Sequence, residues 1–540
     1  MSFKARQTEI TLKIAAAAQQ LPVLGSGLWF HHDIRDNFYY ASYLFAAAAD
    51  HPDLLPFEAD EAKQTAEAVL LEVLRLQDRD EASATYGHWP LHLGNEPRGA
   101  APNPLPVELM GSLMAYFSDR YRSQLSAPLK EAFDDALAHV YRSRFYSQSD
   151  NVFGHHDAKY TAAKLILGQR FGDAALQEEG RRNLQLTLDN VRRYGMHEYG
   201  SLPWFWHWVQ AFTCAWQLSL DEEDKGKLGE MLDFLWNERA LFYLKGAFVG
   251  AHSRGLKHDI PRDGNVLHDY VQFGDFALPE AMPRTEYAGF LYYEAPAESR
   301  KRALEREEPA EVSRVITKQS GSAFVQLHSY VYITKDFAAG GVWERYEEFD
   351  NEQHRWDISL PVDSTDGVNT AYFFHPSGTD ALQDPRHQTG HSEVLFHKNT
   401  VAAIYRIPAG AQESIVGVLP RAEWLCERRL LLAQVGRVYL SVHIMQPYTL
   451  ETLADRCLVT SEGALNGVVV EAISLETAES LGLSGFEAFA VNARQRSAEW
   501  SAGEASGVRF TAIDRMELQL GVKENGEILR LIGGSPVLFT

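Results

Sequence analysis

The segment Ala62–Gln77, AKQTAEAVLLEVLRLQ, shows the pattern on which the fold of this chain depends. Its apolar residues recur at spacings of three and four, which places them on one face of an α-helix. These residues are Ala66, Val69, Leu70, Val73 and Leu74. A helix with one apolar face must bury that face against another element, so a chain with many such segments builds a helical assembly.

The same spacing recurs along the chain as far as Tyr243. Further helices of this kind are predicted over Glu9–Gln20, Asp33–Ala49, Leu105–Tyr121, Pro128–Phe145, Ala158–Phe171, Ala174–Tyr194, Trp204–Leu220 and Asp221–Tyr243. Short turns with Pro, Gly and capping residues separate these helices, which predicts antiparallel helical hairpins. Because no fixed-period repeat accompanies them, a ring of hairpins, called an α/α toroid, is favoured over a regular solenoid.

After Glu311 the pattern changes to short segments rich in Val, Ile, Tyr and Phe. Strands are predicted over Val312–Ile316, Ala323–Thr334, Val401–Arg406, Arg437–Ile444, Gly467–Ile473 and Phe486–Asn492. Short strands without intervening helices predict an antiparallel β-sandwich. The predicted fold class is therefore α+β multidomain, with a toroid over residues 1–300, a linker over 301–311 and a sandwich over 312–540.

Charge and composition exclude several classes of function. The 540 residues include 51 Lys and Arg against 73 Asp and Glu, which gives a net charge of −22. This excess argues against binding to nucleic acid or to an anionic membrane surface, because both need a basic face. An anionic substrate is not excluded, since a basic cleft can lie within an acidic molecule. The sequence shows no signal-peptide core, which predicts a cytoplasmic protein. The oligomeric state stays open between a monomer and a homodimer.

Two polar segments in the helical region are candidates for a functional site. The segment 149–157 contains Asn151, His155 and His156 just before a predicted helix, where they would present donors and a base to a ligand. Alternatively, Asn151 or its neighbour Asp150 caps that helix and the histidines are ordinary surface groups. The second segment, 197–208, combines polar groups with aromatic faces that suit sugar stacking, although a Trp-rich core helix would look similar. Its candidates are Glu198, Tyr199, His207, Trp204, Trp206 and Trp208.

Two further polar segments follow. The loop 250–259 carries His252 and Arg254 and is a candidate pocket for a carboxylate or sulfate, or else a solvated loop. The segment 345–356 carries His354 and is either a charged hairpin or a loop that reaches over the toroid to bind substrate. No motif for a nucleotide cofactor, a serine hydrolase or a zinc protease occurs. No cofactor is predicted, and a structural divalent metal in the sandwich has no supporting motif.

Three of these segments resemble motifs of the heparinase II/III-like superfamily of polysaccharide lyases, which combine a toroid with a sandwich. Glu198–Phe205 (EYGSLPWF) is similar to a Glu-Tyr-Asn-Ser-Pro-Thr-Tyr-Tyr motif of that group. Gly250–Arg254 (GAHSR) resembles its Gly-Pro-His-Ser-Arg loop. Phe349–Trp356 (FDNEQHRW) resembles a segment of its sandwich that is rich in Trp, Asn and Gln.

This resemblance implies β-elimination on a glycan that contains uronic acid. Asn151, with His155 or His156, would neutralise the uronate carboxylate, while His252 and Arg254 would assist or bind a neighbouring sugar. A Tyr or His would then remove the proton at C5, and a Tyr or His would protonate the leaving oxygen.

This chain departs from the family pattern at the second motif. It has Trp204 and Phe205 where the family has Tyr, so the proton-transfer role would move to Tyr199 or His207. A tyrosine base needs its pKa of about 10 lowered, and the cations of the loop 250–259 could do this.

Two other functions remain open. An inverting glycoside hydrolase would use Glu198 with Asp157 or Asp259 as its pair of carboxylates. A non-catalytic carbohydrate-binding protein would use the three tryptophans as platforms and would need no acid or base.

Overall fold

A computed structural model of the chain describes residues 1–147, 152–320, 323–348, 353–378, 384–502 and 505–539. Its helices are α1 Phe3–Gln20, α2 Ile34–Asp50, α3 Ala59–Arg75, α4 Leu105–Tyr121, α5 Ala127–Ser143, α6 His155–Phe171, α7 Ala174–Tyr194, α8 Leu202–Leu218, α9 Glu222–Leu241, α10 Leu267–Gln272, α11 Ala297–Leu304, α12 Leu475–Ser480 and α13 Phe486–Gln495. Its strands are β1 Trp89–Pro90, β2 Pro102–Asn103, β3 Tyr243–Leu244, β4 Ala247–Phe248, β5 Ala310–Ser320, β6 Ala323–Ile333, β7 Ala338–Val342, β8 Trp356–Ser359, β9 Thr370–Phe374, β10 Ser392–His397, β11 Thr400–Arg406, β12 Ser414–Pro420, β13 Leu425–Glu427, β14 Leu430–Val435, β15 Val438–Ile444, β16 Tyr448–Thr452, β17 Arg456–Glu462, β18 Leu465–Ser474, β19 Glu499–Ala502, β20 Ala505–Thr511, β21 Glu517–Lys523, β22 Ile528–Ile532 and β23 Ser535–Pro536.

The N-terminal helices form two layers. The helices α2, α4, α6 and α8 are buried on most of their sides and pack against one another. The helices α3, α5, α7 and α9 bury a narrower set of residues and lie outside them. A helix that is apolar all round belongs in an interior, and one with an apolar stripe belongs at the edge. This arrangement of hairpins in an inner and an outer layer confirms the predicted α/α toroid.

The C-terminal region is built from antiparallel sheets, as predicted. In the described part of the chain, one sheet has the order β16-β17-β12-β9-β8-β7-β6-β5 and a second has the order β10-β11-β18-β15-β14-β13. The two sheets pack through a shared apolar core. A smaller sheet, β19-β20-β21-β22-β23, packs against the second of these two sheets.

The larger sheet has an apolar core on each of its faces, and strand β6 shows this most clearly. Val331 and Ile333 belong to the core of the helical region. Tyr330 and Tyr332, which alternate with them, pack into the core between the sheets. Successive side chains of a strand point to opposite faces of the sheet, so β6 contributes to both cores. The molecule is therefore layered as helices, larger sheet and second sheet.

One predicted strand is wrong, because Phe486–Asn492 lies in helix α13. The buried residues of this helix, Phe489, Ala490 and Ala493, follow the spacing of three and four that is typical of a helix. They pack on Tyr439 on the outer face of the second sheet. The aromatic content of the segment favoured a strand, but the spacing determined the structure.

The other boundaries lie close to the predictions. Helices α4 and α7 begin and end at the predicted residues. The segment predicted as a linker contains the end of α11 and the start of β5. Among the described residues, no helix combines the length and the apolar character needed to cross a lipid bilayer.

Candidate functional site

The four polar segments meet where the helical region contacts the larger sheet. The backbone of His252 pairs with that of His354 in both directions, at N–O distances of 2.8 and 3.0 Å. The backbone N–H of Ser253 donates to the carbonyl of Tyr199 at 2.7 Å. These contacts bring the segments 197–208, 250–259 and 345–356 together. The segment 149–157 joins them through a carboxylate, Glu198.

Glu198 anchors the start of helix α6. Its carboxylate accepts the backbone N–H of His155 at 2.8 Å, the Nδ1–H of the same residue at 2.6 Å and the Nε1–H of Trp208 at 3.3 Å. Burial alone would raise the pKa of this carboxyl, but His155, His197 and Trp208 hold it well below its usual range. Glu198 is therefore an anion that satisfies a free N–H at the helix N-terminus. For this reason α6 begins at His155, three residues earlier than predicted.

His155 is a neutral imidazole. Burial lowers its pKa to about 4, against the opposing effect of Glu198. We assign its proton to Nδ1, because that nitrogen faces the carboxylate, so Nε2 carries a lone pair. Within the described residues, Nε2 has no hydrogen-bond partner. This state suits the removal of a proton, and it does not suit the predicted neutralisation of a carboxylate, which needs a donor. Asn151, predicted for the same role, lies outside the described residues.

Trp204 lies on His155. The two rings are parallel to within 4°, with centroids 4.4 Å apart. The guanidinium of Arg254 lies over the same indole at 4.9 Å from its centroid, a cation–π contact. Trp204 is partly exposed, so it is the member of the predicted aromatic platform that a ligand can reach.

The other two tryptophans, which were also predicted to bind substrate, are core residues. Trp206 and Trp208 are 0% and 1% exposed. The indole N–H of Trp206 donates to the carbonyl of Asn265 at 2.6 Å, and that of Trp208 is held by the carboxylate described above. Helix α8 belongs to the inner layer of the toroid and is surrounded on most sides, so its tryptophans are enclosed.

A second histidine–carboxylate pair lies beside the first. Glu108 of α4 accepts the Nδ1–H of His156 at 2.7 Å and the hydroxyl of Tyr160 at 2.8 Å, and it also pairs with Lys159. Burial would raise the pKa of Glu108, but His156 and Lys159 lower it to about 2. The side chain of His156 is 35% exposed, and its ring centroid lies 4.1 Å from that of His155.

Tyr199 lies between the two regions and keeps its proton. Its hydroxyl accepts from Nε2 of Gln353 at 2.7 Å and donates to Glu348 at 3.3 Å. Burial and the charge of Glu348 raise the pKa of Tyr199 well above its usual value. The prediction that His252 and Arg254 lower this pKa is wrong, since burial and the charge of Glu348 outweigh the groups that lower it. In this state Tyr199 is a proton donor and not a base.

His207 lies inside the toroid. Its Nε2 accepts a hydrogen bond from Arg284 at 3.1 Å and lies 3.6 Å from Glu286. Burial lowers its pKa well below the usual value. Its ring packs against Trp204 and His155, with centroid distances of 5.7 and 5.6 Å. His207, predicted as a proton shuttle, is 5% exposed, as is His155, and its ring contacts support the stacked rings.

His252 and His354, which were predicted to bind substrate, are each 1% exposed. Nδ1 of His252 donates to the carbonyl of Gly200 at 2.6 Å. The ring of His354 lies between Asp357, at 3.1 Å, and Gln388, at 3.2 Å. Both rings stabilise the contact between the helical region and the larger sheet, because the ring nitrogens named above form hydrogen bonds inside the protein.

A cavity of about 790 Å³ opens beside these groups. It is lined by Val152, Phe153, Asn190, Tyr194, His197, Glu198, Ser253, Arg254, Thr317, Lys318, Gln319, Phe324, Tyr346, Glu347 and Glu348. The lining residues include the cations Arg254 and Lys318 and the carboxylates Glu198, Glu347 and Glu348. The cavity wall is therefore not strongly positive, although the composition of the loop 250–259 indicated a basic pocket. Arg254 connects the cavity with the stacked rings, because it lines the cavity and its guanidinium lies over the Trp204 indole.

Sequence reasoning missed several groups of this site. Glu108 leaves a signal, because it is a single carboxylate within the apolar part of the segment Leu105–Tyr121. Glu348 and Gln353 lie in a segment that was singled out, but nothing in the sequence showed that they meet Tyr199. Lys318 lies on a strand without any pattern that marks it. Within the part of the chain that the structure describes, no group of three or more His, Cys, Asp or Glu side chains is placed to hold a metal.

The chain matches no protein-family model and no curated protein sequence. Its structure is similar to that of chondroitinase AC lyase, with 9% identity over 98% of this chain and 93% of that chain and a TM-score of 0.42. It is similar to the Streptomyces coelicolor A3 chondroitin AC lyase, with 9% identity over 96% of this chain and 85% of that chain and a TM-score of 0.46. It is also similar to a Paenibacillus xanthan lyase, with 10% identity over 96% and 61% and a TM-score of 0.44. At these values the site residues themselves must support any statement of function.

Proposed function

We propose that this protein is a polysaccharide lyase that cleaves a uronic-acid-containing glycan by β-elimination. The observation that carries the proposal is His155, a neutral imidazole whose Nδ1–H is fixed on the Glu198 carboxylate. Such an imidazole presents the lone pair of Nε2, which is what the removal of a carbon-bound proton requires. The partly exposed indole of Trp204, which stacks on this imidazole, offers an aromatic edge to a sugar beside it.

Arg254 supplies the other requirement of this reaction. The proton at C5 of a uronate is acidic only when its carboxylate is neutralised, so that charge can build up on the carboxyl oxygens. A guanidinium binds a carboxylate through two parallel N–H donors. Arg254 lines the cavity and lies over Trp204, the ring that stacks on His155, and we infer that it binds the carboxylate of the sugar.

The chemical step follows from these roles. Nε2 of His155 takes the proton from C5, and the electron pair of that bond forms the double bond between C4 and C5. The bond from C4 to the glycosidic oxygen then breaks, and that oxygen takes up a proton. The products are a new end on the leaving chain and a 4,5-unsaturated uronate.

Elimination and hydrolysis leave different products, which gives the test of the proposed function. The full chain is incubated with a panel of uronic glycans, and both ultraviolet absorbance and new reducing ends are measured. We expect both signals to rise together on at least one glycan, because the conjugated product absorbs. New reducing ends without absorbance would show a hydrolase, and no cleavage of any glycan would favour a binding protein.

The carboxylates proposed for a hydrolase are poorly placed for that reaction. An inverting hydrolase needs one protonated carboxyl and one that activates water across an open cleft. Glu198 already accepts three N–H groups, and Asp259 is fully buried. Asp157 accepts the backbone N–H groups of Val152 and Phe153 at 3.2 and 2.8 Å. No pair among these carboxylates meets the requirement.

Replacing Arg254 with alanine should weaken the binding of acidic substrate selectively. A hydrogen bond to a charged group contributes about 1.5–3 kcal/mol, so we expect KM to rise about 10- to 100-fold. The measurement compares an acidic oligosaccharide with its carboxyl-reduced, neutral form. Arg509→Ala on the five-stranded sheet is the control, since that arginine is exposed and outside the cavity. An equal loss for both ligands would contradict a carboxylate partner.

The pH dependence of the reaction should report His155. The group is active when neutral, and burial holds its pKa to about 4 in the empty site. Activity at low substrate, kcat/KM, should therefore persist below pH 6.5, the usual histidine value, and fall only near pH ~4. A bound carboxylate favours the imidazolium and raises this pKa. The acid limb of kcat should therefore lie at higher pH than the acid limb of kcat/KM. An acid limb of kcat below that of kcat/KM would exclude His155 as the base.

A further inference from the structure

A second large cavity, which we call the α1 cavity, lies away from the groups described above. It has a volume of about 770 Å³ and is lined by the first half of α1, the C-terminal ends of α2 and α4, and the segment 289–294. Helix α4 contributes Glu108 to the pair with His156 and Arg120 to the α1 cavity. A helix rises about 1.5 Å per residue, so these two positions of α4 are about 18 Å apart along its axis. The volume is typical of small-molecule sites, which measure about 300–1,000 Å³, so the α1 cavity is a separate candidate site.

Gln7 contributes a hydrogen-bond acceptor to the wall of this cavity. The residue is 7% exposed, and its Nε2 donates to the carbonyls of Ala288 and Leu291 at 3.3 and 2.9 Å. These two acceptors fix the orientation of the amide. Its other atom, Oε1, accepts no hydrogen bond from any residue that the structure describes. A buried carbonyl without a donor is unfavourable, so a ligand that carries a donor, such as a hydroxyl group, is stabilised there.

The charges of the cavity wall balance when His51 is counted as neutral. The cations are Lys4 and Arg120, and the carboxylates are Asp50 and Glu294. Arg120 lies 3.3 Å from Asp50, so part of this charge is already paired within the protein. A wall with equal numbers of cations and carboxylates offers no excess charge to an ionic ligand. It offers donors and acceptors side by side, and a hydroxyl group can pair with both because it donates and accepts.

Tyr292 adds an aromatic surface to the same wall. The residue is 41% exposed, and its hydroxyl donates to Glu294 at 3.1 Å. Phe3 packs against its ring at a centroid distance of 5.0 Å and an interplanar angle of 73°. These contacts hold an accessible aromatic ring next to the polar groups of the cavity. This combination matches a sugar, which has apolar C–H groups on its ring and hydroxyl groups around it.

We propose that the α1 cavity is a non-catalytic binding site for a neutral sugar. One hydroxyl group of the sugar donates to Oε1 of Gln7, and others pair with Asp50 and Arg120. The C–H groups of the sugar ring pack on Tyr292. This site goes beyond the proposed function, because it breaks no bond and uses none of the groups around His155. Binding there requires no uronic acid.

The binding of neutral sugars to the full chain tests the proposal. The probes are glucose, galactose, mannose, N-acetylglucosamine and cellobiose, with glucuronate as the anionic probe, and ligand-observed nuclear magnetic resonance measures Kd. We expect at least one neutral probe to bind, and Tyr292→Ala to raise its Kd about tenfold, because the aromatic surface that the sugar covers is removed. Phe171→Ala, which removes a ring that is 37% exposed and lies outside the cavity, is the matched control and should leave Kd unchanged. Binding of no neutral probe, or of glucuronate alone, would overturn the proposal.

Two further variants locate the bound sugar. Thr8→Phe fills part of the α1 cavity from a half-buried position and should also raise Kd, and thermal unfolding checks that the variant is folded. Arg254→Ala alters the other cavity and should leave Kd for the neutral probe unchanged. A Kd that rises with Arg254→Ala and not with Tyr292→Ala would place the sugar in the other cavity and overturn the proposal. The result is independent of lyase activity, since a chain that cleaves no glycan can still bind a sugar in the α1 cavity.

Discussion

Replacing His155 with alanine should lower kcat about 10²- to 10⁴-fold, the usual contribution of a positioned base. The loss should appear on every glycan that the protein cleaves, because the variant lacks the imidazole that accepts the C5 proton in the proposed step. Initial rates of ultraviolet absorbance measure it. Glu198→Gln should give a smaller loss, since it removes the charge that fixes the tautomer but leaves the imidazole in place.

The control for this variant is a similar pair away from the site. His328 and Glu344 on and beside β6 are joined at 2.7 Å, and neither lines the cavity. His328→Ala should leave kcat within about twofold of wild type, because this partly exposed pair lies outside the cavity. A folded His155→Ala variant with wild-type turnover would show that the base lies elsewhere.

Replacing Arg239 with alanine should cause the largest loss of stability. Its guanidinium and the carboxylate of Asp269 are both 0% exposed and lie 2.7 Å apart at their closest. The same side chain donates to the carbonyls of Phe242, Gly246 and Ala247. The truncation leaves a buried carboxylate without its partner, which costs about 3–5 kcal/mol.

Chemical denaturation followed by circular dichroism measures this loss. Arg494→Ala is the matched control, because its partner Glu427 is also a carboxylate but both side chains are about one-third exposed. That pair should contribute about 0–1 kcal/mol. If the two variants unfolded at the same denaturant concentration, the buried pair would not be a major source of stability.

The fold was predictable because the apolar residues of its helices recur at a regular helical spacing. The apolar residues of Leu105–Tyr121 and Ala174–Tyr194 repeat at a helical spacing over their whole length, and both helices were placed to the residue. The segment Phe486–Asn492 is short and aromatic, so residue type and spacing pointed to different structures. Short segments leave few repeats from which a period can be recognised.

The site was predictable only in part. The sequence placed its polar groups in four segments, and these segments do meet. It did not show which side chains point outward, because that depends on tertiary packing. Trp204, Trp206 and Trp208 have the same chemistry, yet the ring beside α6 is partly open and the other two are enclosed. The partner of His156 was missed because Glu108 lies 48 residues away on another helix.

The two faces of β6 have a consequence for how this protein can be divided. Since Val331 and Ile333 complete the core of the helical region, cutting the chain before β5 would leave that core exposed to water. The apolar surface so uncovered would make the isolated helical region prone to aggregate. The helical region and the sheets are therefore not independent domains. The helical region and the larger sheet share their cores. Neither can be replaced by a homologous part unless the residues on both faces of this sheet change with it.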